Sequence, residues 1–290
     1  MRAVLNTPDA VTPTGIGDVE PPAPGPGEAL VAVRAFSVNR GELALLASRP
    51  AGWRPGQDIA GVVVEAAASG EGPPAGARVV GRVEGAGWAE LAAVPAERLA
   101  ALPEEVSVEQ AATLPIAGLT ALRALRLGGS VVGRRVLVTG ANGALGRFAA
   151  ELAERSGALV TAVAGHAAEI PAGPYELVLD SVGGTTFNDA LKATSPGGTI
   201  VILGSSSGEP GSLTVFDFIG HEGVRLVNFM SYASADPDDR DLAVLVDLIR
   251  RDLLHPAIAF SADWAELNTA IEGLKEQKIS GGKAILRIGA

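Results

Sequence analysis

Arg135-Val-Leu-Val-Thr-Gly140-Ala-Asn-Gly143-Ala-Leu-Gly146-Arg-Phe148-Ala-Ala-Glu-Leu-Ala-Glu154 decides how the rest of this chain is read. A short β-branched and aliphatic run ends in three glycines, each separated from the next by two residues. An amphipathic helix then begins. Glycine permits the tight turn and removes the Cβ that would keep backbone N–H groups away from a phosphate. The helix presents the positive end of its dipole to the anion. A glycine triplet alone is a weak signal, but between a strand and a helix it is the pattern a dinucleotide pyrophosphate needs. Gly140, Ala141, Asn142, Gly143, Ala144, Leu145 and Gly146 are therefore the candidate pyrophosphate site.

Outward from this turn, the texture of the chain changes near Val108. Before it, apolar runs at 29–35, 59–65 and 78–83 read as strands. Turn-rich pieces at 21–27 and 70–76 separate them. The spacing leaves no room for crossover helices and predicts a compact, barrel-like region. After it, a helical pattern covers 109–127, interrupted by Pro115 and Gly118. Strands at 135–139, 159–164, 176–181, 199–204 and 224–230 then alternate with helices at 144–156 and 186–194. That alternation predicts an α/β fold with a mostly parallel, doubly wound sheet. Helices over 238–254 and 262–277 follow, and a last strand, 283–288, is free to rejoin the first region.

The 290 residues have room for one large domain or two modest ones. With 47% hydrophobic and 19% charged residues, the composition is that of a folded chain. A net charge of -10 argues against nucleic acid or an anionic membrane as the main partner. Cysteine is absent, which removes disulfides, thiolate metal ligands and a cysteine nucleophile. No apolar run is long enough for a signal peptide or a membrane span, and a cytoplasmic protein is expected.

Several motifs occur in an order that resembles the zinc-free, quinone-reductase-like and enoyl-reductase-like branch of the medium-chain dehydrogenase/reductase superfamily. They are Pro55-Gly-Gln-Asp58-Ile-Ala-Gly61, Ala112-Thr-Leu-Pro115-Ile-Ala-Gly118-Leu-Thr120, the glycine turn, Leu177-Val-Leu-Asp180-Ser-Val-Gly183, Gly197-Gly-Thr-Ile-Val-Ile-Leu-Gly204 and Gly281-Gly-Lys283-Ala-Ile-Leu286. The resemblance implies a GroES-like barrel domain from both chain ends, 1–111 with 256–290. It implies a Rossmann domain over 112–255, an active cleft between the two, and a homodimer. Two departures stand out. Only nine residues, His166 to Pro174, fill the space where relatives carry a further helix and strand, so the adenine side is trimmed. Where relatives often read Asn-Tyr-x-Asp, this chain has Asn39-Arg40-Gly41-Glu42, and no role for that tyrosine carries over.

An acidic residue after the second nucleotide strand would bind the adenosine ribose and repel a 2′-phosphate. Here Ala164-Gly165-His166 stands instead, which favours NADPH over NADH. His166 is either a donor to that phosphate or a solvated loop residue. Asp180 reads as a turn cap beside the cofactor, with Ser181 and Val182. Gly204, Ser205 and Ser206 end another strand, where doubly wound sheets place ligands. Phe229, Met230 and Ser231 end the next, and for the first two an edge-core role competes with facing the nicotinamide. The family pattern brings Lys283 toward the cofactor. Asn39, Arg40 and Thr120 are the candidate polar groups near substrate, Arg40 by charge-assisted stabilisation of an enolate or carbonyl oxygen.

No zinc is expected, since a tetrahedral site needs Cys, His or carboxylate ligands together and the chain has three scattered histidines. Hydride delivery to a quinone or an activated carbon–carbon double bond asks less of the protein than alcohol oxidation. The expected function is a zinc-independent, NADPH-dependent reductase of such small-molecule acceptors. Its competitors are a tailoring reductase acting on a bulky biosynthetic intermediate and a dinucleotide-binding protein without redox activity.

Overall fold

The computed structural model describes residues 1–165, 169–234 and 236–289. The chain divides into two compact units, Met1–Leu119 with Ala235–Ala290, and Thr120–Ser234. In the first unit, β1 (Arg2–Asn6) and β2 (Thr14–Asp18) form an antiparallel pair. The long strand β3 (Glu28–Val38) leads into α1 (Arg40–Ser48), followed by β4 (Asp58–Glu65), β5 (Arg78–Arg82), β6 (Leu91–Pro95), β7 (Leu99–Ala101) and α2 (Val108–Ala111). A single π-helical turn, Leu114–Gly118, precedes α3 (Leu119–Leu127).

The second unit carries α3, β8 (Arg135–Thr139), α4 (Ala144–Arg155), β9 (Leu159–Val163), β10 (Tyr175–Asp180), α5 (Gly184–Lys192), β11 (Thr194–Ile202) and β12 (Arg225–Asn228). The chain then returns to the first unit with α6 (Asp239–Arg250), β13 (Ile258–Asp263), α7 (Leu267–Lys275) and β14 (Lys283–Arg287).

The tail does rejoin the first region. β14 runs antiparallel to β3, with Ala284 opposite Val38, inside a seven-stranded sheet ordered β13-β14-β3-β4-β5-β7 with β6 also on β3. Apolar side chains that alternate along the first part of β3, and the continuously buried end of β3 and start of β4, fill the interior. Phe36 and Trp88, both fully buried, stack at 5.4 Å between ring centroids. Each contributes about 1.5–3 kcal/mol through burial.

Where a helix was expected from Ala262, the chain first makes β13. Its side chains alternate between half-buried and exposed, so partnership with β14 overrides local helical preference. The unit boundaries also differ from 111/112 and 255/256. The π-turn packs on β4 and β5, and α6 buries Leu242, Leu245, Val246 and Ile249 while packing against β5, β7 and the π-turn. Both segments therefore belong with the barrel.

The second unit is a parallel five-stranded sheet ordered β12-β11-β10-β8-β9. After β8 the chain steps outward to β9. It returns on the other side of β8 for β10, β11 and β12. The sequence change of direction thus falls between β8 and β10, which is where such sheets bind ligands. β9 is an edge strand whose Leu159 is 62% exposed, as the short connection after it requires.

Candidate functional site

At the carboxyl end of β8 the three glycines do three different things. Gly140 has φ +65°, and a Cβ there would collide with Ser181 Oγ at the start of the β10–α5 turn. Gly146 sits on the buried face of α4, where a Cβ would lie 2.5 Å from Gly140 O and 2.8 Å from Ala141 Cα. It allows the helix to pack onto its own turn. Gly143 needs neither. Its φ is -76°, it is exposed, and the nearest atom to an added Cβ is Gly140 O at 3.4 Å. It is the N-cap of α4, and no side chain caps this helix and no acid stands in its first turn. The opening N–H groups of a twelve-residue helix are therefore left facing outward beside a residue with no side chain, an anion site by construction.

The turn is braced from below. Gly143 N donates to Gly140 O at 2.9 Å, and Ala141 N to Val163 O at 3.0 Å, joining the turn to the end of β9. Ala141, Ala144 and Leu145 are half-buried and Asn142 is exposed. Across the crevice Asp180 is fully buried and accepts from Thr139 Oγ1, from Val182 N and, at 3.0 Å, from Gly183 N. It caps its own turn, as its place at the end of β10 predicts, and both its oxygens are used there. Ser181 Oγ donates to Thr139 O at 3.2 Å. Ser206 N and Ser207 N donate to Ser181 O and Val182 O, so the loop after β11 is stitched to the loop after β10. Gly204 and Ser205 are exposed there. Gly140, Ser181 and Gly204 thereby meet at the ends of three adjacent strands. These residues fit a dinucleotide: a cradle free of side chains, uncapped amides and a hydroxyl-rich rim.

Other expected cofactor contacts are placed less simply. Gly165 is exposed with φ +92°, and His166 lies outside the described residues. Phe229 is half-buried and donates its N–H to Ile202 O, Met230 is 49% exposed, and Ser231 is buried.

Lys283 is the clearest departure. Its Nζ is 2.8 Å from Asp58 Oδ2 and 2.6 Å from Asn39 Oδ1, and the residue is 4% exposed. It is held inside the first unit's own polar network. Asn39 belongs to the same network. Its Nδ2 donates to Asp58 Oδ2 at 2.9 Å and to Glu42 Oε2 at 3.3 Å, so the amide proposed for substrate is already committed. Asp58 accepts further from Ser37 Oγ and, through Oδ1, from Ile116 N in the π-turn. Arg40 is an exposed residue opening α1, and Thr120 is 4% exposed.

Glu42 is the member that sequence reading missed as a site. It was legible as the N3 acid of a capping box on Asn39, a pattern that points to a helix start. Its burial was not. Desolvation pushes its carboxyl up to about 8, with Asp58 beside it adding to the rise; amides from Asn39 and Gln57 and the Lys283 ammonium oppose it. Two carboxyls thus share one ammonium, and a proton on Glu42 balances the charge. A second buried pair, Arg82 Nε to Asp238 Oδ2 at 2.7 Å, joins β5 to the N-cap of α6.

Among the described residues no group of three His, Cys, Asp or Glu side chains is placed to hold a metal. His221 Nδ1 lies 2.6 Å from Thr194 O, and His255 Nε2 lies 3.1 Å from Asp252 Oδ1. No helix is long and apolar enough to cross a membrane among the described residues.

Comparison with known proteins gives two matching families, one within the first unit and one running from the second unit into the returning tail of the first. Residues 25–104 match the alcohol dehydrogenase GroES-like domain, and 152–286 match the zinc-binding dehydrogenase family. A chloroplast envelope quinone oxidoreductase homolog of Arabidopsis thaliana is 34% identical over 52% of this chain and 51% of its own length. The spectinabilin polyketide synthase system protein NorB of Streptomyces orinoci is 29% identical over 95% of this chain but only 14% of its own length. The chain thus spans about half, or far less, of these two curated relatives. A thermostable alcohol dehydrogenase from Pyrobaculum aerophilum superposes with TM-score 0.85 at 25% identity, covering 99% of both chains. The quinone oxidoreductase from Coxiella burnetii gives TM-score 0.82 at 22% identity over 100% of this chain and 99% of that one, a likeness of fold. With both of these family matches, which together run over most of its length, this chain belongs to the medium-chain dehydrogenase/reductase superfamily, and the proteins it is similar to include quinone oxidoreductases.

Proposed function

We propose that this protein is a zinc-independent oxidoreductase that uses NADPH to reduce a quinone or an activated carbon–carbon double bond. The observation that carries the reading is the exposed, side-chain-free N-terminus of α4 at the point where the sheet changes direction. Gly140, Gly143 and the first-turn amides would hold the pyrophosphate. Ser181, Gly204 and Ser205 would border the rest of the dinucleotide. When bound, a reduced nicotinamide supplies a hydride, and the protein's task is to place it and to keep water out. The preference for NADPH over NADH rests on Ala164-Gly165 after β9, where an acid would repel a 2′-phosphate. Zinc independence rests on the donor set, because the chain has no cysteine and its described histidines are engaged elsewhere. The family's quinone reductases support the acceptor class, and a homodimer and a cytoplasmic setting complete the proposal.

Mixing purified protein with NADPH and either a benzoquinone or an enone tests it. Acceptor-dependent loss of NADPH absorbance, unaffected by a chelator, is expected. Binding with no turnover on either acceptor would support a non-redox role instead, and no binding of either nicotinamide would remove the reading. The match to a polyketide synthase protein over nearly the whole chain favours one alternative, reduction of a bulky biosynthetic intermediate. Turnover confined to large unsaturated thioesters would select it.

A further inference from the structure

We propose that Arg147 is the cation that receives a phosphate of the bound dinucleotide, an inference that rests on the function proposed above. Arg147 follows Gly146 in the first turn of α4 and is exposed. It stands four residues after Gly143, hence on the same helix face. Long helical side chains lean back toward the N-terminus, which is the direction of the turn that Gly143 leaves bare.

The state of Arg147 sets it apart. Elsewhere in the second unit, Arg134 pairs with Glu176, Arg155 with Glu151 and Lys192 with Asp189. Arg135 lies over the Tyr175 ring, Arg225 donates to Thr199 Oγ1, and Arg123 and Arg126 are engaged as well. Among the described residues, Arg147 is the one basic side chain of this unit with no bond to another group. In a chain carrying 33 acidic residues, a cation left unpaired over uncapped helix amides is poised for an anion from outside. It also answers the question the end of β9 poses, since Ala164 and Gly165 supply no positive charge of their own.

Titrations of the full chain with NADPH, NADH and 2′,5′-ADP, by nicotinamide fluorescence and calorimetry at fixed ionic strength, test this. Arg147→Gln should weaken NADPH by about 10- to 100-fold, the effect of losing a charge-assisted contact. Arg147→Lys should restore part of it, and Arg147→Glu should be weaker than Arg147→Gln. The thermal midpoint should not move, because the side chain holds nothing within the protein. Losses confined to NADPH and 2′,5′-ADP assign the contact to the 2′-phosphate; equal losses for NADH assign it to the pyrophosphate. Unchanged Kd values for all three ligands in Arg147→Gln and Arg147→Glu would overturn the role of Arg147 while leaving the proposed function standing. A wild-type chain that binds none of them would overturn both.

Discussion

The network around Asp58 and the turn around Gly143 are both polar, and they are built in opposite ways. Around Asp58, four side chains and three backbone amides close on its carboxylate or on each other, and Glu42, Asp58 and Lys283 are all buried. Both oxygens of the Asp58 carboxylate are engaged within the unit. Around Gly143, the backbone is braced by its own hydrogen bonds, but the first amides of α4 have no cap and the nearby arginine has no partner. Buried charges demand complete satisfaction because desolvation is expensive. A binding site demands the reverse, polar groups held firmly and left unused. Lys283 and Asn39, both attractive by sequence, are held in that network.

The sharpest way to break this contrast is to unbalance the network. Lys283→Met would leave Asp58 buried without its cation and should cost about 3–5 kcal/mol in urea denaturation. A loss below about 1 kcal/mol would mean that the ammonium is not part of the framework. Glu42 then tests the charge balance. Its carboxyl is raised in the folded chain, so the folded state holds a proton that the unfolded state has released between its ordinary 4.5 and about 8. Stability from this group is complete below pH 4.5 and is lost as pH rises toward 8, by at most about 1.4 kcal/mol per unit. Glu42→Gln should flatten that slope relative to the parent; parallel pH profiles would refute the assignment.

Two glycines probe the other side. Gly146→Ala forces a methyl against backbone and should cost about 1–3 kcal/mol, reading as a loss of fold stability. Gly143→Ala meets only an ordinary contact and should cost about 1 kcal/mol or less, through the weaker cap. Gly143→Trp should keep the fold and lose NADPH. If it binds as tightly as the parent, the pyrophosphate lies elsewhere.

Much of the second unit could be read directly. Strand-then-helix periodicity, the glycine spacing and the brevity of the connection after Val163 each act over a few residues, so the parallel sheet and its missing outer strand were visible. The turn cap at Asp180, the last residue of β10, was visible for the same reason, because an acid two and three residues before free amides caps them locally. The first unit was less readable. Its hairpin β1–β2, its short strands and β13 draw their stability from partners far along the chain, and local pattern carries little of that.

What the amino-acid order determined by itself was the set of local machines: a phosphate-sized turn, a capping box at Asn39 and Glu42, and a chain without thiolates. Only tertiary structure decided which polar groups are free. Strand β14 crosses the sequence to lay Lys283 beside Asp58, and a charge's availability depends on what is packed against it and on how much water remains, neither of which is a property of neighbours in sequence.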